Sequence, residues 1–273
     1  MTSRQLTMAG TVVPTLGQGT WYLGDDRARR DEEIAALRRG IELGMTLVDT
    51  AEMYGNGASE QLVGEAIGPC RDDVFLVDKV LPHNASRSGT IEACTRSLQA
   101  LDTDWIDLYL LHWPGPHPVA ETVEAFEELK DRGLIRAWGV SNFDTTDLAD
   151  CPTPPQTDQI LYNPARRGVE HDLLPTLRSK DIPAMAYSPV EQGRLLHDTS
   201  LSAVAERHAA SVAQVLLAWA IRSGDVIAIP KASTVQHVED NARAWDLDLT
   251  PEDLADIDSA FPAPTRPTPL EML

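Results

Sequence analysis

The chain has 273 residues, 42% hydrophobic and 24% charged, the balance of an ordinary soluble globular protein. Its net charge of −19 argues against nucleic acid and anionic membrane surfaces as partners, and it requires any anionic ligand to be held by locally placed cations. No apolar stretch approaches the ~20 residues that cross a bilayer. The opening Met1-Thr2-Ser3-Arg4-Gln5 lacks an apolar signal core, and Cys70, Cys94 and Cys151 have no CxxC spacing or histidine partners. These features predict a cytoplasmic protein with free thiols, no membrane partner and no metal.

Residues 5–8 and 11–16 are extended in pattern and are expected to pair as a small hairpin. Strand-like runs follow at 16–20, 46–49, 74–80, 106–112, 135–140, 157–161, 183–187 and 226–229. Between them the apolar spacing is helical, as at Ile34, Leu37 and Ile41 within residues 31–43. Further helices are expected at 59–67, 89–101, 119–132, 172–180, 211–222 and 235–244. An extra helix is expected at 251–260, where Thr250 can cap the start, Pro251 occupies the first turn, and Leu254 and Ile257 supply an apolar stripe.

Strands alternating with helices indicate parallel βα units. Eight such units predict an α/β fold, a (β/α)8 TIM barrel with an N-terminal β-hairpin and extra helices near the C-terminus, for which ~250 residues is typical. No linker, repeat or composition shift divides residues 1–273, so one domain is expected. An open doubly wound sheet is the competitor, and it usually carries GxGxxG after its first strand. Gly17-Gln18-Gly19 has only the first half of that pattern, and Gly55-Asn56-Gly57 fails to continue.

Barrel active sites form at the carboxyl ends of the strands. Asp49, Lys79 and His112 close the second, third and fourth strand-like runs, and Tyr54 lies in a loop on the same rim. A phenol at its usual pKa of ~10 is a poor acid at neutral pH. A nearby ammonium favours the phenolate and should lower that pKa. Asp49 can hold Lys79 charged and in place, and His112 can orient a carbonyl oxygen or share its proton. Such a group can protonate an oxygen as negative charge builds on it.

The motifs around these residues form an ordered series. They are Asp49-Thr50-Ala51-Glu52-Met53-Tyr54-Gly55, Lys79-Val80, Leu110-Leu111-His112-Trp113, Gly139-Val140-Ser141-Asn142-Phe143, Ala186-Tyr187-Ser188-Pro189 and Ile229-Pro230-Lys231. From about Gly17 to Asn241 the chain resembles the aldo-keto reductases. The resemblance is greatest to the small bacterial branch with short C-terminal tails, some members of which reduce methylglyoxal-like 2-oxoaldehydes. It implies a nicotinamide cofactor, NADP(H) in preference to NAD(H), bound extended across the barrel mouth. It also implies a small carbonyl substrate reduced by hydride transfer; a monomer is expected.

By motif match, Tyr187 would stack on the nicotinamide, and Ser141, Asn142 and Gln159 would bond its carboxamide. Thr20 would join the cofactor site. Ser188, Val190, Gln192 and Gly193 would follow the pyrophosphate, while Lys231, Ser233 and Thr234 would meet the adenosine phosphate beside His237. Asp240 and Asn241 would contact adenine. The resemblance makes Tyr54 the general acid, Lys79 and Asp49 its tuners and His112 the orienting group.

Three positions depart from the family pattern. His237 stands where many NADPH-preferring members carry arginine; a guanidinium grips phosphate bidentately and keeps its charge, and an ordinary imidazole does neither at neutral pH. Asp78 replaces the common serine or threonine, and strand alternation points it outward, where a carboxylate needs a partner or water. The segment 148–156 is shorter than the usual connection before the sixth strand.

Other residues carry competing readings. Trp21 and Trp113 follow strands at the rim and either line an apolar substrate pocket or cap the barrel. His83 and Asn84, after the third strand, are solvated or touch substrate. Arg166-Arg167 either steers an anion or interrupts an acidic surface. The tail, residues 270–273, can fold over the pocket but is too short for a large specificity loop. Two other classes stay open: a Schiff-base lyase using Lys79 as nucleophile, and a nicotinamide-binding redox sensor with little turnover.

Overall fold

The computed structural model describes residues 4–273, so the expectation about a leader falls partly outside the described residues. The strands Gln5–Met8 (β1) and Thr11–Pro14 (β2) pair antiparallel through a turn at Ala9 and Gly10, both at positive φ. Eight parallel strands follow: Gln18–Gly19 (β3), Leu47–Asp49 (β4), Phe75–Val80 (β5), Ile106–Leu111 (β6), Ile135–Ser141 (β7), Asp158–Leu161 (β8), Ala184–Tyr187 (β9) and Val226–Ala228 (β10). Each neighbours the next in chain order. Parallel bridges Leu16↔Ala228 and Gly19↔Lys231 join the first of them to the last and close the barrel. At this seam only glycine fits position 19, because an added Cβ would lie 2.7 Å from the Ile229 carbonyl oxygen.

The surrounding helices are Arg30–Glu42 (α1), Ala58–Ile67 (α2), Arg87–Leu101 (α3), Val119–Asp131 (α4), Thr145–Ala149 (α5), Leu173–Ser179 (α6), Thr199–Arg207 (α7), Val212–Ala220 (α8), Val235–Ala242 (α9) and Pro251–Ala260 (α10). The (β/α)8 fold, the hairpin and the extra terminal helix are those predicted. Two helices were not. Both had a visible signal: Asp144 and Asp147 make a capping box for α5, and Asp198 caps α7, whose Leu201, Val204 and Ala205 are buried at helical spacing.

Period-two alternation sorts the strand residues into two cores. Leu47, Val77, Leu108, Leu110, Met185 and Ile227 fill the barrel, with Met8 and Val13 of the hairpin against them. Val48, Leu76, Tyr109 and Leu111 face outward and pack under the helices. Asp49 and Lys79 follow Leu47 and Val77 by two, and His112 follows Leu110 by two. The same alternation that packs the interior thus aims all three side chains inward at the carboxyl end.

Asp78 points outward, as expected, and is fully buried, with neither carboxylate oxygen partnered among the described residues. Glu60, Ser97 and Tyr109 beside it each have a buried oxygen with no partner in hydrogen-bond geometry among the described residues. Burial, and then the nearby Glu60 carboxylate, push the Asp78 carboxyl well above the usual range.

Candidate active site

Lys79 organises the rim. Its ammonium donates to Asp49 Oδ2 at 2.8 Å, to the Thr50 carbonyl at 2.7 Å and to Tyr54 Oη at 3.2 Å, and its side chain has no exposed surface. Burial pulls the ammonium's pKa down, but Asp49 and Tyr54 more than offset this, so it lies above the ordinary lysine value. Gln159 Nε2 donates to the other Asp49 oxygen at 2.7 Å, leaving both carboxylate oxygens partnered. A buried ion pair is tolerable only when satisfied in this way.

Tyr54 enters from the loop after β4, where Gly55 and Asn56 take positive φ and turn the chain toward α2. Ser59 in the first turn of α2 bonds Thr20 Oγ1 at 2.8 Å and lies 3.1 Å from Thr50 Oγ1, tying that loop to the first two barrel strands. Burial raises the Tyr54 phenol above its ordinary pKa, Lys79 pulls it down, and Asp49 pushes it up. The net direction corrects the expectation from sequence: the ammonium favours ionisation, but desolvation outweighs it in the resting protein. Because Oη accepts from Lys79, its own hydrogen remains free to turn into the cavity.

His112 lies across from Tyr54, with ring centroids 5.9 Å apart in an edge arrangement. Burial, and then the Lys79 charge, lower its pKa well below the usual imidazole value, so the ring is neutral. Its Nδ1 is buried without a partner among the described residues.

These groups border a cavity of about 740 Å³. Asp49, Tyr54 and His112 reach it, as do Thr20, Trp21, Trp113, Ser141, Asn142, Gln159, Tyr187, Ser188, Val190, Gln192, Gly193 and Lys231. Within the wall, Asn142 sits at φ +58° and donates to the His112 carbonyl at 3.1 Å, while its Oδ1 accepts from Tyr187 Oη at 2.8 Å. Ser188, Glu191, Gln192 and Gly193 all take positive φ, which curls the loop after β9 along the cavity. Buried Glu191 anchors that loop by accepting from Asn163 and Arg194 at 2.8 Å each and from Arg166 at 2.9 Å.

Ser233, Thr234, His237, Asp240 and Asn241 stand beyond the seam at the start of α9 and along it, outside this cavity. The Asp240 carboxylate accepts from Ser211 Oγ at 2.7 Å and Gln214 Nε2 at 2.6 Å, at the capped start of α8. A contact of Asp240 with adenine would use an acceptor position that these two bonds leave open. His83 is exposed and does not line the cavity, because Glu52 accepts from Leu81 N and Asn84 Nδ2 and pins the turn Pro82–Asn84. Arg166 and Arg167 are both committed to protein carboxylates, Arg166 to Glu191 and Glu271 and Arg167 to Glu170 and Asp258. Neither is free to steer an anion.

Wall residues given no role from the sequence include Tyr22, Met53, Leu196 and Ile229. Tyr22 stacks on Trp21 with centroids 4.5 Å apart. The tail does reach the cavity, through Met272 and Leu273, held by Glu271 bonding to Arg166 at 2.7 Å.

A closed parallel barrel with a phenol, an ammonium, a carboxylate and a neutral imidazole at its carboxyl rim defines a class, and comparison with known proteins agrees. Residues 15–261 match the Aldo/keto reductase family, and the chain belongs to it. It is 48% identical to the methylglyoxal reductase YeaE of Escherichia coli (strain K12), covering the whole of both chains. It is 34% identical to the glyoxal reductase of Bacillus subtilis (strain 168), covering 92% of this chain and 90% of that one. A crystal structure of an aldo/keto reductase from Klebsiella pneumoniae in complex with NADP and acetate superposes with a TM-score of 0.96 at 44% identity, over all of both chains.

Proposed function

We propose that the protein reduces small aldehydes and ketones, 2-oxoaldehydes such as methylglyoxal among them, with NADPH as the preferred donor and Tyr54 as the general acid. The observation that carries this reading is the hydrogen bond from Lys79 Nζ to Tyr54 Oη at the cavity wall. Reductases of methylglyoxal and glyoxal among its relatives, and a bound NADP in a close structural neighbour, support the substrate class and the donor.

The cavity suits a dinucleotide. Gly19 lets the chain pass close at the seam, the loop 188–193 borders one side, and the Ser141 hydroxyl, bonded by the Asn142 amide, lines the cavity with Gln159 and Tyr187. These residues would hold the nicotinamide half, and Lys231, Ser233 and Thr234 the adenosine phosphate. Bound there, the cofactor supplies a hydride to the carbonyl carbon.

The rest is the work of side chains. A carbonyl oxygen between Tyr54 and His112 meets two donors if the neutral imidazole carries its proton on Nε2. As charge develops on that oxygen, Tyr54 passes its proton across, and the phenolate left behind sits against the Lys79 ammonium. That attraction strengthens only as the reaction proceeds, so it favours the transition state over the bound substrate. Asp49 keeps Lys79 charged, and Trp21, Trp113 and Met53 exclude water from the mouth.

The lyase reading loses its support, since all three Lys79 N–H bonds are taken and the amine does not line the cavity. Steady-state NADPH oxidation over a panel of small aldehydes tests the reductase reading. Turnover that rises to saturation with methylglyoxal supports it, whereas cofactor binding without turnover would favour a redox sensor.

A further inference from the structure

We infer that Arg29 is the residue that selects the 2′-phosphorylated dinucleotide, supplying the guanidinium that position 237 lacks. The inference rests on the cofactor reading above. His237 stands where an arginine is common, and its side chain is exposed at the first turn of α9. A different guanidinium is at hand. Arg29 Nη2 donates to Ser233 Oγ at 3.1 Å, across 204 positions of sequence.

Barrel closure makes this meeting possible. Arg29 immediately precedes α1, which follows the first barrel strand, and Ser233 immediately precedes the cap of α9, which follows the last. The bridge Gly19↔Lys231 brings those two strands together at the rim. The helices then run side by side, with Arg39 bonding Glu239 at 2.9 Å further along. Their amino ends therefore open onto the same patch of the rim, where Arg29, Lys231, Ser233 and Thr234 gather.

Arg29 is also arranged to accept a further partner. Its Nε donates to Glu32 at 3.1 Å on one edge, which orients the fork, while Nη1 donates to no protein atom among the described residues. The side chain is 42% exposed, so a dianionic phosphate can approach it from solvent. A fork of this kind grips phosphate through parallel N–H bonds, which a lysine or a neutral imidazole cannot do. In a chain of net charge −19, Arg29 and Lys231 stand at this end of the seam with the Ser233 hydroxyl, and Glu32 occupies only the Nε edge of the Arg29 fork. An NAD-type dinucleotide carries no group for Arg29 to bind, so the residue should discriminate between cofactors rather than hold both.

The test titrates intrinsic tryptophan fluorescence of the wild type and Arg29→Ala with NADPH and with NADH. The expected result is a Kd for NADPH raised about tenfold in the variant, discounted from a buried charged bond for exposure, with NADH changed by less than about twofold. Retained NADH affinity also reports an intact nicotinamide site. An unchanged NADPH affinity, or equal losses for both dinucleotides, would overturn the assignment of Arg29 alone. A wild type that binds neither dinucleotide would overturn the cofactor reading and this inference with it.

Discussion

The Tyr54 hydroxyl oxygen accepts a hydrogen bond from the Lys79 ammonium at 3.2 Å, although the two residues belong to successive βα units. The pair is held from behind: Lys79 is locked by Asp49 and the Thr50 carbonyl, and Asp49 by Gln159. Geometry on the reacting side is thus fixed before any ligand arrives, which is the condition for electrostatic catalysis without reorganisation.

The ion pair behind Tyr54 should be measurable as stability. Lys79→Met leaves the Asp49 carboxylate buried with only Gln159 for company, and we expect a loss of roughly 3–5 kcal/mol. Adding Asp49→Asn removes the stranded charge and should restore a large part of it. Urea denaturation of both variants decides the matter. Equal stability of the single and double variants would mean that the two charges do not depend on each other.

Asp78 predicts a pH dependence of stability. Burial raises its folded-state pKa well above the ordinary carboxylate value, so the folded state binds the proton more tightly than the unfolded chain does. Its favourable contribution is present in full below the unfolded pKa of ~3.9 and is lost as pH rises toward the folded value. Asp78→Asn should therefore stabilise the protein at neutral pH, with the advantage shrinking toward pH ~4. Denaturation curves at several pH values check this. An Asn variant less stable than the parent at neutral pH would show that the carboxylate has a partner there.

Cofactor preference offers a gain-of-function check. His237→Arg adds a guanidinium at the first turn of α9 near Ser233 and Thr234, and NADPH should bind several-fold tighter with NADH little altered. Equal changes for both would show that position 237 does not see the phosphate.

The tail is a wall of the cavity held by one arm of Arg166. Glu271→Gln breaks that arm while leaving the Glu191 contact in place. The pair is partly exposed, so the effect should be modest, a rise of about two- to threefold in KM for the aldehyde with kcat unchanged. No change in KM would mean that Met272 and Leu273 stay in place without the ion pair.

Much of this architecture was legible in the sequence because it is local. Alternation in Leu47-Val48-Asp49 and Leu76-Val77-Asp78-Lys79 declares which side chains face inward. The apolar runs place those side chains at strand ends, and Thr250-Pro251 announces the last helix. What escaped depends on closure of the ring. Arg29 meets Ser233, Arg166 meets Glu271, and Asp240 meets Ser211 only after strands and helices pack, and no spacing records it. The sign of the Tyr54 shift was also out of reach, because it turns on how far desolvation exceeds the pull of Lys79, a balance set by three-dimensional burial. The helix Thr199–Arg207 was missed for a lesser reason: its apolar stripe spans barely two turns.

The central claim is that the Tyr54 hydroxyl delivers the proton, and single-turnover reduction of methylglyoxal by NADPH in Tyr54→Phe tests it most directly. Phenylalanine preserves the ring and removes only the oxygen that Lys79 contacts. We expect the rate of NADPH oxidation in the mixed complex to fall by about a hundred- to ten-thousand-fold, with NADPH affinity nearly intact. A variant that oxidises NADPH at most of the parental rate would contradict the account.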